Sequence, residues 1–230
     1  MTHTRMSRAA VWFASIGIIA GSLAISVPAS ADTVYQPPSG TFNGYIVYLS
    51  RACHNGKGTT CKTNTGCSSY SENANSASVS TAAATHNVNG DSLTKRGYRV
   101  YVGTGTMQQN IANSNAAGAD IHIPIHSNAQ GTGAACGGST SPANNGTWGM
   151  YKGFSGCATQ MKTWVGGASP GTNDKIVYRG DLAELNNTNA VGCYLESEFH
   201  TWPAGVTWLN QYYSWSWRLG AAVDSYLGYP

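Results

Sequence analysis

The sequence predicts a single α/β layered domain: a twisted, mostly parallel or mixed sheet flanked by helices, with histidines at the C-terminal ends of strands. Three observations predict it. Apolar runs of strand length alternate with stretches of helical composition, the element order of a layered α/β fold. An apolar fraction of 41% with scattered Trp and Tyr argues against disorder. No linker-like break or internal repeat divides the 230 residues, so one domain is expected.

The elements follow in order. Arg5 and Arg8 precede an apolar run from Ala9 to Val27, and small residues Ala29-Ser30-Ala31 close it. This is the layout of a secretory signal peptide over 1–31, and no membrane span is expected after its removal. Residues 32–43, with Pro37, Pro38 and Gly40, read as an extended lead-in to a domain over 44–230. A first strand is expected over 45–49, followed by a loop rich in Gly, Thr, Asn and Cys. Residues 72–86 are small and free of Gly and Pro, which suits a helix. A strand over 98–102, a helix over 107–117 and a strand over 120–126 follow, the last carrying Pro124, unusual inside a central strand. Strands are expected over 148–151, 175–178 and 191–196, with a helix around 157–165. A final helix over 206–227 places Trp208, Leu209, Tyr212, Trp215, Leu219 and Val223 on a broad apolar face.

Only a tenth of the chain is charged, with a net charge of +3 and no run of five like charges, which excludes nucleic-acid binding through a basic surface. Arg5 and Arg8 leave with the leader while all 10 acidic residues remain, so the mature charge is +1. Electrostatic attraction to a polyanion is therefore expected to be slight. Six cysteines in an exported chain imply disulfides. Short loops favour pairing within Cys53, Cys61 and Cys67, and between Cys136 and Cys157.

Candidate chemistry lies in few residues. His54 follows the first strand and His126 closes the third, at the strand ends where open α/β sheets bind ligands. Between His54 and Asp91 the only acidic side chain is Glu72, at a helix start. Two imidazoles and a carboxylate, leaving a fourth position for water, form the ligand set of a catalytic zinc hydrolase. The same three also read as a loop histidine, a carboxylate favoured at a helix N-terminus and a core histidine. Glu196 and Glu198 stand two apart at the close of an apolar strand and so share one face, either as a general base or acid or as solvated charges.

Taken together these residues resemble the catalytic domain of the zinc-dependent N-acetylmuramoyl-L-alanine amidases of the type 3 class, which cleave bacterial peptidoglycan. The resemblance is carried by His54-Asn-Gly56, Glu72, Gly97-Tyr98-Arg-Val100, Ala112-Asn113, Ala119-Asp120, Ile125-His126-Ser-Asn128-Ala129, Arg179-Gly180, Asn187-Thr188, and Glu196 with Phe199. Their order and approximate spacing agree over about residues 44–228. The resemblance implies one zinc ion held by His54, Glu72 and His126, Glu196 as the catalytic glutamate, peptidoglycan as substrate, and a secreted, wall-associated monomer. The sequence departs from the pattern at Arg51-Ala52-Cys53, where the family has Asp-Pro-Gly, at Pro124, and at Glu198, where a Gly is common. Glu198 is expected as a solvated rim charge, His122 as a packing residue, and His200 as a candidate for polarising a carbonyl. Two rivals stay open: a metal-free glycoside hydrolase using Glu196 and Glu198, and a non-catalytic wall-binding relative.

Overall fold

The computed structural model describes residues 32–54, 61–131 and 136–228; the expected leader lies outside them. The strands are β1 (Thr33–Tyr35), β2 (Ile46–Arg51), β3 (Arg99–Gly103), β4 (Ile121–Asn128), β5 (Trp148–Tyr151), β6 (Lys175–Tyr178), β7 (Val191–Gly192) and β8 (Tyr194–Phe199). The helices are α1 (Glu72–Thr85), α2 (Met107–Ala117), α3 (Gly156–Trp164), α4 (Ala183–Asn186), α5 (Pro203–Leu209), α6 (Tyr212–Trp215) and α7 (Trp217–Leu227). One sheet runs in the order β1-β3-β2-β4-β8-β5-β6, with β7 also paired to β4. Its middle, β3-β2-β4-β8, is parallel, while β1 and β5 join antiparallel. The mixed sheet with flanking helices bears out the expected architecture.

Alternation of side chains along the strands sorts the two faces. Val47, Leu49, Val100, Val102, Ile121, Ile123, Ile125 and Leu195 point to the main core, where they meet Val79 and Ala83 of α1, Met161 of α3, and Leu219 and Val223 of α7. Odd-numbered residues of β4 thus go to the core, and its even-numbered His122 and His126 go to the other face. There a smaller apolar cluster forms from Met150, Leu185 and Tyr194, with Trp148, Val177 and Leu182 against it.

Local signals set the helix ends. Ser71 caps α1, its Oγ accepting from the Ala74 N–H at 3.4 Å, and makes Glu72 the first helical residue. Thr106 and Gln109 form a reciprocal capping box on α2, and Gly118 closes that helix at φ +64°, a left-handed conformation that glycine adopts at little cost.

Pro124 does sit in a central strand. Pairing of β4 with β7 ends at His122 and resumes with β8 only at Ile125, so the residue without an N–H falls where the neighbouring strand is itself interrupted. The interruption is Cys193, bonded to Cys157. The other disulfides are Cys53–Cys61 and Cys67–Cys136. The pairing of Cys53 with Cys61 is as expected; that of Cys136 with Cys157 is not, because each meets a cysteine distant in sequence but adjacent in the layers. The lead-in is extended, and its first residues add β1 at the sheet edge, where Asp32 accepts a hydrogen bond from the Tyr48 hydroxyl at 2.8 Å.

The final helix expected over 206–227 is three helices. The Trp208 carbonyl, which would continue α5, accepts instead from Gln211 N–H at 2.9 Å and from Trp215 Nε1–H at 3.2 Å, and the two indoles stack with centroids 4.5 Å apart. Burial of Trp215 thus overrides a periodicity that runs unbroken in the sequence. Among the described residues, no helix is long and apolar enough to cross a membrane.

The Cys157–Cys193 bridge closes 36 residues and ties α3 to the central sheet. Replacing both cysteines by alanine should lower unfolding free energy by about 2–4 kcal/mol, read as a reduced urea midpoint under oxidising conditions.

Candidate metal centre

Three segments bring the centre together. His54 lies three residues beyond β2, where it exchanges two backbone hydrogen bonds with Lys62, each 3.0 Å, and the adjacent Cys53–Cys61 bridge closes the same loop. Glu72 opens α1, and its own N–H donates to the Asn64 carbonyl at 3.0 Å. His126 is held in β4, directly opposite Glu196 of β8. The Cys67–Cys136 bridge joins the segment before Glu72 to the one after β4.

Glu72 stands between the two imidazoles. Its Oε2 is 2.6 Å from His54 Nε2, and its Oε1 is 3.0 Å from His126 Nδ1 and accepts from the Ser127 N–H at 3.0 Å. One ligand atom from each of His54, Glu72 and His126 lies within 4.8 Å of the others. Two nitrogen donors and a buried oxygen donor converging at this range fit a zinc ion, whose ligands are imidazole and carboxylate groups about 2 Å from the metal.

The electrostatics agree. Burial works to raise the Glu72 carboxyl, but hydrogen bonds from His126 and His54 outweigh it and hold the group well below the usual carboxylate range. Burial likewise lowers the His126 imidazole, yet its hydrogen bond to Glu72 prevails and pushes it up to about 9. Glu196 behaves oppositely. Burial pushes its carboxyl up to about 8, with His126 and Arg179 opposing and Glu72 adding to the rise. Its Oε2 is buried without a hydrogen-bond partner among the described residues. A cavity of about 170 Å³ beside the centre is lined by His54, His126, Glu184, Tyr194, Met107 and Leu182.

Other candidates have structural places. Glu198 is not a solvated rim charge: it is fully buried, accepting from the N–H groups of Gly171 at 3.0 Å and Phe199 at 2.8 Å, and so fixes a loop against β8. His122 packs as expected, stacked on Tyr48 at 5.3 Å. His200 does not face the cavity; it is buried, stacked on Tyr70 and 3.0 Å from Ser127 Oγ. The carboxylate that sequence reasoning overlooked is Glu184, buried in the short helix α4. Its one available signal was that so few carboxylates exist in the chain.

No protein-family model matches the chain, and no curated protein matches it. Among solved structures the fold defines a class: it is that of N-acetylmuramoyl-L-alanine amidase catalytic domains. The particular structures include the catalytic domain of CwlV, an N-acetylmuramoyl-L-alanine amidase from Bacillus (Paenibacillus) polymyxa var. colistinus, 18% identical over 80% of this chain and 99% of that one, with a TM-score of 0.62. The N-acetylmuramoyl-L-alanine amidase of Clostridium difficile 630 is 18% identical over 81% and 98%, at 0.64. The amidase AmiC2 of Nostoc punctiforme is 14% identical over 83% and 99%, at 0.64.

In the metal-free protein both raised groups hold protons in the folded state that the unfolded chain has lost. For Glu196 the window runs from its ordinary 4.5 to about 8, and for His126 from 6.5 to about 9. Stability from these two groups is thus fully present below the lower value of each window and lost as pH rises through the upper. Urea unfolding of chelator-treated protein should show stability falling between pH 6 and about 9, and addition of zinc should flatten that fall because the metal replaces the His126 proton.

Proposed function

We propose that the chain is a secreted, zinc-dependent N-acetylmuramoyl-L-alanine amidase that cleaves the amide bond between N-acetylmuramic acid and L-alanine in peptidoglycan, acting as a monomer. The observation that carries the reading is Glu72 set between His54 and His126, with Glu196 opposite His126 in the sheet. The fold shared with solved amidases supports it. Export is supported by the leader-like residues 1–31 and by the pairing of all six cysteines, which suits an oxidising compartment.

His54, Glu72 and His126 would hold one zinc ion, which when bound supplies Lewis-acid polarisation of a carbonyl and a nucleophile at neutral pH. The remaining work falls to Glu196. As a carboxylate it accepts the proton of the attacking water, and as a carboxylic acid it returns that proton to the departing alanine nitrogen. Expelling an amine requires both halves, and Glu196, opposite the ligand His126 in the sheet, is placed to serve both. Glu72, kept ionised by its imidazoles, would hold the ion with a charged oxygen and takes no part in proton transfer. Burial of Glu198 inside its own loop counts against a retaining glycosidase, which needs two carboxyls facing substrate. Retention of all four functional side chains counts against a wall-binding relative without activity.

Glu196→Gln should keep one zinc per chain and lose peptidoglycan hydrolysis by about 10²–10⁴-fold. Mass spectrometry of digested peptidoglycan should show new L-alanine amino termini with the unsubstituted protein. New reducing ends instead would support the glycosidase, and full activity of the variant would remove Glu196 from its role.

A further inference from the structure

The proposed reaction leaves one buried carboxylate without a purpose. Glu184 is 4% exposed, and one of its oxygens is firmly tied: Oε1 accepts from Ser50 Oγ at 2.5 Å and lies 3.2 Å from His122 Nε2. Ser50 in turn accepts from Asn110 Nδ2 of α2 at 3.0 Å, and Asn110 Oδ1 accepts from the Gly105 N–H at 3.1 Å. The carboxylate is therefore anchored through β2 to α2 and through His122 to β4. Its other oxygen, Oε2, makes no hydrogen bond among the described residues and points to His126, 4.0 Å from Nε2.

His126 thus stands between two carboxylates, one for each ring nitrogen: Glu72 at Nδ1 and Glu184 at Nε2. A neutral imidazole offers a lone pair at only one nitrogen, and the partner of the other decides which. We infer that Glu184 is a positioning residue for the metal centre: its free oxygen, at ion-pair rather than hydrogen-bond distance from Nε2, electrostatically favours the proton of His126 on Nε2 and so keeps the Nδ1 lone pair directed at the ion. Carboxylate partners of this kind fix the orientation and basicity of ligand histidines. The anchoring explains why a short helix buries an acid here: Ser50, His122 and Asn110 hold Glu184 in place, and Glu184 orients His126. This inference rests on the proposed zinc centre and is independent of the substrate.

Glu184→Gln preserves the side chain's shape and its hydrogen bond from Ser50. Its zinc Kd, measured by competition with a chromogenic chelator, should rise about 10–100-fold with an unchanged circular dichroism spectrum. Long-range ¹H–¹⁵N spectra of the zinc-loaded, unsubstituted protein should place the metal on His126 Nδ1 and the proton on Nε2. A folded variant whose Kd stays within about twofold of the original, or a proton found on Nδ1, overturns the inference; the spectra decide it even if the variant fails to fold. Absence of zinc binding by the unsubstituted protein would overturn both centre and inference. A zinc-loaded chain that leaves peptidoglycan intact would overturn the proposed activity alone.

Discussion

The structure turns on one buried carboxylate. Glu72 lies 1% exposed between two imidazoles, and burying a carboxylate is unfavourable unless charge and hydrogen bonds compensate it. His54, His126 and the Ser127 N–H supply that compensation, the first from the loop after β2 and the other two from β4. Placing them demands that β2 end near the start of α1, that β4 run beside β2, and that α1 begin at Glu72 rather than one turn later. The parallel order β3-β2-β4-β8 meets the first two demands, and the Ser71 cap meets the third. Two disulfides then secure the loops on either side of the site, where irregular backbone could not hold ligands by packing alone.

Division of labour between the faces follows. One face of the sheet is almost wholly aliphatic and carries the stability. The other holds His122, His126, Tyr48, Ser50 and Glu184 in a connected set of hydrogen bonds and ring contacts, with a modest apolar cluster beside it. The same carboxylate type behaves in three ways here: Glu72 is kept ionised by its imidazoles, Glu196 is pushed toward neutrality by burial, and Glu198 binds backbone N–H groups.

Much of this was legible in the sequence because charge is scarce. Glu72 has no acidic competitor between His54 and Asp91, so the three converging residues stood out as candidates, and the resemblance to the amidases then selected them over a loop histidine, a helix-start carboxylate and a core histidine. Strands 148–151 and 175–178 were bounded as they occur, since turn residues flank short apolar runs. What was not legible depends on contacts distant in sequence. Pro124 is tolerated because of a break in a neighbouring strand, and Cys136 and Cys157 are separated by layers rather than joined by a short loop. The break at residue 211 follows from the seating of Trp215, which periodicity does not encode. Glu198 reads as a surface charge and Glu184 escapes notice because nothing local announces a buried acid; only their tertiary partners reveal it.

Burial of the acids alters what solvent meets. Glu72, Glu184, Glu198 and Asp224 are enclosed, so four of the chain's 10 acidic residues are taken off the exterior, and Glu196 is partly withdrawn. No Lys or Arg among the described residues is buried. The formula charge of +3 therefore goes with an outer shell in which, among the described residues, cations outnumber anions, with part of the negative charge held inside against imidazoles and Arg96. At contact range, well inside the roughly 8 Å screening length of physiological salt, a neighbouring molecule therefore meets more Lys and Arg side chains than carboxylates, while the buried carboxylates still count in the field felt farther away.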